Sequence, residues 1–397
     1  MEQGEAARFL RTFGPAWLVM MADVDVASIV TGFQDGASFG YHMVFVMLIL
    51  TIPLFFIQDA AGRLGTMSGM GLGRAIRAKY GSRAAIAAAL PMALIDFMTY
   101  TVEFAGIALG ASLLGVPREA AVALALLAYV ATVASGRYRT VEAIMLPISF
   151  VLAAALIASL AFFPVDMHEL VTEGLSPIQP YTDPGYGFLL AASVGAVIMP
   201  WMLFFHSGAD ARKGLGKSDL PFERLETLIG AVASEILMAI AVVDGRGLDS
   251  LGGSSTISPS EIANLLRPLG PASSAILGIG FVAAGFLALV VASMASGWGF
   301  LSAVGSSSRR LELYYYVVMG AAAAAAAALA GNLIWLMLDV MAIYVIVLAP
   351  PLYYLGKLAS DPTIMNGHPL RGWERALYWV LSTLVVGAGL LGLLTSI

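Results

Sequence analysis

Long uninterrupted runs of apolar residues dominate the pattern of this chain. Runs of about 20 residues, such as 144–163 and 276–294, show no alternation of apolar and polar positions. Strands of a membrane barrel alternate over about ten residues, whereas a membrane-spanning helix needs about 20 mostly apolar residues in a row. The pattern therefore predicts helices that cross a membrane, each of which satisfies its own backbone hydrogen bonds.

Eleven such helices are predicted, which makes the chain an all-α integral membrane protein with a single transmembrane domain, residues 1–397. The first ten helices divide into two halves, about 14–163 and 186–356, and the segment at about 372–396 is an extra helix. The predicted helices lie near residues 14–37, 41–63, 84–114, 119–136, 140–163, 186–207, 222–245, 272–304, 312–331, 332–356 and 372–396.

Composition supports a membrane protein and excludes several kinds of chemistry. The residues are 59% hydrophobic and 12% charged, whereas a soluble domain is about 45–50% apolar and about 25% charged. The absence of cysteine excludes disulfides and thiolate ligands. The four histidines are scattered and no hydrolase or zinc-protease motif occurs, so we expect no enzyme activity, no cofactor and no nucleic-acid partner. No cleavable signal peptide is expected, because residues 1–13 are polar.

The distribution of basic residues predicts the orientation. Basic residues favour the cytoplasmic side of a membrane. With a cytoplasmic N-terminus, 18 of the 21 lysines and arginines lie on the inside or at the helix ends next to it, and only Arg118, Arg246 and Arg267 lie outside. We therefore expect a multi-pass protein of the cell membrane with its N-terminus in the cytoplasm.

Two carboxylates, Asp23 and Asp25, lie in the middle of the first predicted helix with no basic residue nearby in sequence. A charge inside the bilayer is costly, and its default interpretation is functional. Carboxylate oxygens suit Mg²⁺, Mn²⁺ or Fe²⁺. On an ideal helix the two residues point about 200° apart, so both reach one ion only if the helix is broken. One of the two could instead line a water-filled vestibule.

The sixth predicted helix contains Pro200, which removes a backbone hydrogen bond and frees the carbonyl of Ala196. Met199 stands three residues after Ala196, on nearly the same face. The carbonyl and the thioether form half of a plausible metal site, although this segment alone would suit a proline kink beside a core methionine. Because the first and sixth helices hold corresponding places in the two halves, interruptions in both point to a site in the middle of the membrane.

Further polar groups within the predicted helices are candidates for a proton path or for gates. Asp96, Tyr100 and Glu103 share one face of the third helix, which suits a water or proton path or a buried hydrogen-bond cluster. The other candidates are Glu226 and Glu235 in the seventh helix and Asp339 in the tenth.

Several motifs follow one another in a set order along nearly the whole chain. They are Gly14-Pro15-Ala16-Trp17-Leu18 before Asp25, Glu103-Phe104-Ala105-Gly106, Arg139-Thr140-Val141-Glu142, Gly195-Ala196-Val197-Ile198-Met199-Pro200 and Phe205-His206-Ser207. In order and spacing these segments resemble the Nramp family of proton-coupled divalent metal transporters.

The resemblance implies a LeuT-type fold, in which five helices and the next five form an inverted repeat and an eleventh helix follows. It also implies a metal site made by Asp25, Ser28, Met199 and the Ala196 carbonyl. Asp23 is a candidate for an added ligand from its place in the sequence alone. In this comparison Trp201 and Tyr100 line the site, and His206 is a candidate for the proton path or for a gate.

The chain departs from the family pattern at several of these positions. Ser28 stands in place of an asparagine, and the proline and glycine before it are Val26 and Ala27. Trp201 replaces a histidine, Tyr100 replaces an aspartate of an acidic pair, and Asp23 replaces a neutral residue. Since the family uses that histidine and that acidic pair in proton movement, we expect proton coupling to be weak or rerouted.

We interpret the chain as a secondary transporter of divalent metal ions, with the lipid bilayer, the metal ion and protons as its candidate partners. The thioether of Met199 favours Mn²⁺ or Fe²⁺, while the extra carboxylate of Asp23 favours the alternative, Mg²⁺. A symporter of organic cations or amino acids with the same fold stays open as a second alternative, and so does a receptor without transport.

Overall fold

The computed structural model of the protein describes residues 3–250, 270–330 and 333–395. These residues form helices joined by turns and by longer connections such as 173–183 and 360–371. In chain order the helices are α1 (Gln3–Thr12), α2 (Pro15–Asp23), α3 (Val26–Phe39), α4 (His42–Ser68), α5 (Leu72–Leu113), α6 (Arg118–Ala134), α7 (Tyr138–Ser159), α8 (Met167–Thr172), α9 (Pro184–Val197), α10 (Pro200–Lys213), α11 (Leu220–Ser250), α12 (Pro271–Val304), α13 (Arg309–Leu329), α14 (Ile334–Ala359) and α15 (Gly372–Thr395).

The helical membrane architecture expected from the apolar runs is confirmed. Within the described residues, nine helices are long and apolar enough to cross a membrane when Pro184–Lys213 is counted as one, or up to ten if the bent pair α2–α3 is one span. The remaining predicted helix corresponds to α6, which has only 17 residues, fewer than the roughly 20 that usually span a bilayer. The total of eleven and the division into repeated halves stay predictions. The predicted boundary between the ninth and tenth helices, at 331–332, lies outside the described residues.

The third predicted helix begins earlier than the sequence pattern indicated. It starts at Leu72 rather than near residue 84, and Gly81 (φ 84°) divides it. The short first part carries basic side chains, including Arg74 and Arg77, and therefore lacks the apolar run on which the prediction depended. A left-handed φ is readily adopted only by glycine, which explains why the direction changes at this residue.

The first interruption lies between α2 and α3. The two helices are bent by 47°, and Asp25 is the N-cap of α3, with its side chain accepting a hydrogen bond from the Ser28 amide. Aspartate is among the best N-cap residues because its short side chain satisfies an amide that the first helical turn leaves free. The helix therefore breaks without the proline and glycine that Val26 and Ala27 replace.

The second interruption lies between α9 and α10. Ile198 and Met199 have non-helical backbone angles, and Pro200 is the first residue of α10. Proline suits this position because its missing amide would have no partner there, and it forces the preceding residue into an extended conformation. The sixth predicted helix is thus two short helices rather than one kinked helix.

The close approach of α9 to α14 fixes the position of the second interruption. Gly195 faces the backbone of α14 so closely that a Cβ at this position would overlap the carbonyl oxygen of Met341. Gly195 immediately precedes Ala196, whose carbonyl is a candidate ligand. A side chain at residue 195 would therefore displace the end of α9 and the candidate site with it.

We predict that Gly195→Ala destabilises the protein by about 1–3 kcal/mol, the usual cost of adding atoms to a packed interior. The matched control is Gly216→Ala, because a Cβ at Gly216 meets nothing within 4 Å. Thermal unfolding of both variants in detergent tests this. An unfolding temperature of Gly195→Ala equal to that of Gly216→Ala would contradict the packing described here.

Candidate functional site

The two interruptions meet in the interior of the protein. The Ser28 hydroxyl of α3 donates a hydrogen bond of 3.4 Å to the Ala196 carbonyl at the end of α9. Further along the same pair of helices, the Ser193 hydroxyl donates to a carboxylate oxygen of Asp35 at 2.7 Å. These two bonds hold α3 and α9 side by side, so the free backbone groups of both interruptions lie near one another. We call the region where the α2–α3 and α9–α10 interruptions meet the junction.

Asp25 and Asp23 place unpaired carboxylate oxygens at this junction. Both residues are fully buried. One oxygen of Asp25 accepts the Ser28 amide at 2.7 Å, but its other oxygen and both oxygens of Asp23 have no hydrogen-bond partner among the described residues. No lysine or arginine among the described residues forms an ion pair with Asp23 or Asp25. A buried charge without a partner is unfavourable, so the junction suits a cation or protons.

Two more acids lie next to these aspartates. Glu103 of α5 accepts the backbone amide of Val26 at 3.2 Å and is an electrostatic neighbour of Asp25. Glu235 of α11 is an electrostatic neighbour of Asp23, and neither of its oxygens has a partner among the described residues. The structure thus brings together candidates that lie far apart in the sequence.

Met199 is the N-cap of α10 and is fully buried. Its sulfur accepts a hydrogen bond from the Trp201 indole nitrogen at 3.0 Å, and its backbone amide donates to the sulfur of Met202 at 3.3 Å. Trp201 therefore orients the thioether. A thioether sulfur has two lone pairs, so this hydrogen bond uses only one of them.

The polar residues of α5 make separate contacts. Asp96 accepts the Tyr344 hydroxyl at 3.0 Å, and that hydroxyl also lies 2.6 Å from the hydroxyl of Thr99. Tyr100 donates to the Ala292 carbonyl at 3.4 Å. Asp96 and Tyr100 thus contact α14 and α12, whereas Glu103 contacts the start of α3. All three are fully buried, so their part in a proton path stays a prediction.

The other sequence candidates lie away from the junction. One oxygen of Glu226 accepts the amides of Gly14 and Trp17 at 2.7 and 2.8 Å, so this acid caps the first turn of α2. Asp339 is exposed and is not one of the buried acids. His206 lies further along α10 and is considered below.

Sequence reasoning missed several buried acids. Asp35 does not stand out in the sequence, although it links the two interrupted helices. Asp210 and Glu223 were not singled out, yet both are fully buried next to His206. One signal was available for Asp210, because it follows His206 by four residues and therefore shares a helix face with it.

The junction offers a defined set of donors. Carboxylate, hydroxyl and carbonyl oxygens are hard ligands suited to Mg²⁺ or Mn²⁺, and a thioether adds affinity for softer ions. The last turns of α2 and α9 also direct their partly negative carbonyl ends toward the junction, which favours a cation there.

Comparison with known proteins agrees with this geometry. The family model described as natural resistance-associated macrophage protein-like, Nramp, matches residues 16–395. The divalent metal cation transporter MntH of Bacillus subtilis is 28% identical over 317 residues, which cover 76% of this chain and 72% of that protein.

The fold is similar to those of solved transporters. A variant of the Eremococcus coleocola manganese transporter superimposes with a TM-score of 0.78 at 18% identity, covering 98% of this chain and 87% of that one. MhsT in complex with L-phenylalanine superimposes with a TM-score of 0.64 at 15% identity, covering 96% and 98%. Since the family model matches nearly every residue from the first interrupted helix to α15, the chain belongs to the Nramp family.

Proposed function

We propose that this protein is a secondary transporter that carries divalent metal ions across the cell membrane. The observation that carries the proposal is the group of buried carboxylates at the first helix interruption, Asp23, Asp25, Glu103 and Glu235, without a lysine or arginine partner among the described residues. Placing one aspartate at the centre of a membrane helix costs about 2.5–3.5 kcal/mol on insertion scales. A transported cation offsets this cost, and MntH of Bacillus subtilis, a relative, is named as a divalent metal cation transporter.

The proposed ligands come from both interruptions. Asp25 supplies the unpaired carboxylate oxygen, and Ser28 and Ala196 supply the hydroxyl and carbonyl oxygens that already lie 3.4 Å apart. Met199 supplies the sulfur, and Asp23 the second charge. Because three of these groups come from the first interruption and two from the second, movement of one pair of short helices against the other would open the site to one side at a time.

Mn²⁺ or Fe²⁺ is the substrate that we favour, because Met199 provides a thioether and the similar structure from Eremococcus coleocola is that of a manganese transporter. Mg²⁺ is the second candidate. It is favoured by the extra carboxylate of Asp23 and by the hydrogen bond that Trp201 makes to the Met199 sulfur, since sulfur contributes nothing to Mg²⁺ binding.

The protein would lie in the cell membrane with its N-terminus in the cytoplasm, as the distribution of basic residues indicates. A substrate of amino acid type fits less well, because the unpaired carboxylates at the junction would repel its own carboxylate. An organic cation stays open as an alternative. The likeness to MhsT concerns the fold alone.

We predict that Asp25→Asn reduces Mn²⁺ uptake into proteoliposomes at least about tenfold without unfolding the protein. Asparagine caps a helix about as well as aspartate, so α3 should still begin at residue 26 while the negative charge is lost. Asp244→Asn is the matched control, because Asp244 is also buried but pairs with Ser159 of α7. Equal uptake by both variants would remove Asp25 from the site.

We expect Trp201→Phe to raise the affinity for Cd²⁺ by about two- to tenfold, since the hydrogen bond that it removes is worth about 0.5–1.5 kcal/mol net. The affinity for Mg²⁺ should not change. Competition with Mn²⁺ in equilibrium binding measures both, and Trp379→Phe serves as the control. The gain should vanish in a Met199→Ala background, and a gain that persists there would mean that Trp201 acts through another group.

Proton coupling should be weak, because Trp201 cannot exchange a proton near neutral pH as histidine does. A pH-sensitive dye inside proteoliposomes should record Mn²⁺ influx with little acidification. A metal-dependent proton influx of fixed stoichiometry would contradict this. If that influx disappeared in Asp96→Asn or Glu103→Gln, the polar face of α5 would be its path.

A further inference from the structure

A second group of buried ligand-type side chains lies beyond the junction along α10. His206 and Asp210 stand on α10 and Glu223 on the first turn of α11, and all three are fully buried. One ligand atom from each lies within 4.8 Å of the others. His206 and Asp210 follow Met199 by seven and eleven residues, which corresponds to about 10 and 16 Å along a helix.

The imidazole is oriented toward the two carboxylates. Its Nδ1 atom lies 3.1 Å from the side-chain oxygen of Gln58 on α4, and its Nε2 atom lies 3.1 Å from Glu223 and 3.9 Å from Asp210. In the tautomer in which Nδ1 donates to the Gln58 oxygen, Nε2 presents a lone pair to both carboxylates. A lone pair that faces two carboxylates needs a cation between them, either a proton or a metal ion.

Neighbouring hydroxyls hold the carboxylates in place and leave oxygens free. Thr66 donates to Asp210 at 3.1 Å, and Thr227 donates to Glu223 at 2.9 Å. The second oxygen of each carboxylate has no hydrogen-bond partner among the described residues. No lysine or arginine among these residues forms an ion pair with Asp210 or Glu223. Outer groups that orient ligands in this way are typical of metal sites.

The sequence of α4 leaves room for this cluster. A Cβ at Gly62 would overlap a carboxylate oxygen of Glu223 and lie 2.8 Å from Nε2 of His206. A Cβ at Gly65 would lie 2.9 Å from Cβ of Asp210. Two glycines one turn apart therefore allow α4 to pack against α10 and α11 without displacing the three side chains.

We propose that His206, Asp210 and Glu223 form a second binding site for a divalent transition metal ion, on the side of the junction toward the C-terminal end of α10. One imidazole nitrogen with two carboxylates suits Mn²⁺, Fe²⁺ or Zn²⁺, whereas Mg²⁺ and Ca²⁺ prefer oxygen ligands alone. An ion that leaves the junction along α10 would meet this site before reaching the end of the helix. This inference goes beyond the proposed function, because it concerns residues that share no ligand with the junction.

The ligand chemistry of the two sites provides a selective test. The junction offers oxygen and sulfur ligands, so an imidazole nitrogen coupled to bound Mn²⁺ reports only the second site. Electron spin echo measurements on the purified full-length protein with Mn²⁺ should detect this nitrogen coupling. Equilibrium dialysis should give two Mn²⁺ per chain.

The variants separate the two sites. Asp25→Asn should keep the nitrogen coupling and bind one Mn²⁺ fewer, while His206→Gln should lose the coupling and keep the ion at the junction. If His206→Gln proves unstable, Asp210→Asn serves in its place. This variant retains the imidazole and should weaken Mn²⁺ binding at the second site at least about tenfold. Asp244→Asn should match the unmodified protein in both measurements.

Two results would overturn the proposal. One is the absence of nitrogen coupling in the unmodified protein with Mn²⁺ bound, which would mean that the lone pair of His206 faces a proton instead. The other is a coupling that survives His206→Gln. The nitrogen coupling depends on His206 and would persist even if the protein did not transport Mn²⁺. The second site and the proposed transport function can therefore fail separately.

Discussion

The hydrogen bond from the Ser28 amide to Asp25 is the interaction on which the rest of the site depends. It starts α3 and thereby ends α2, so one side chain produces the interruption and supplies its anion. Capping uses only one carboxylate oxygen, and the other remains unpaired in a fully buried position. The break and the charge are thus two consequences of one residue.

The surrounding helices are arranged to tolerate this charge rather than to neutralise it with a lysine or arginine. Ser28 links the break of α3 to the end of α9, and Glu103 accepts a backbone amide at the first turn of α3, where the positive end of the helix dipole stabilises an anion. Lysine and arginine instead pair with acids elsewhere, as in the contacts of Arg63 with Asp59 and Glu374. A site without a fixed counter-charge can bind a divalent ion and release it, whereas a permanent ion pair would occupy the same carboxylates.

The apolar runs were sufficient to predict a helical membrane protein, and the unpaired mid-helix aspartates and the proline pointed to the places where two helices are interrupted, because these are local signals. The sequence was insufficient for contacts between distant segments. The partner of Met199 could be identified only once α10 was known to begin at Pro200, which places the indole of Trp201 against the sulfur. The cluster around His206 depends on Glu223 from another helix and on the absence of a side chain at Gly62. Neither contact can be recognised from the sequence of a single segment. The start of α5 was missed because its first turns are basic rather than apolar.

The central claim is that the transported ion lies between the two helix interruptions, and anomalous diffraction from crystals of the protein with Mn²⁺ tests it most directly. The account predicts an anomalous peak within about 2–3 Å of a carboxylate oxygen of Asp25, as expected for hard cations and oxygen ligands, on the side that faces Ala196 and Met199. Well-ordered crystals that show Mn²⁺ bound elsewhere, with no peak between the interruptions, would contradict it.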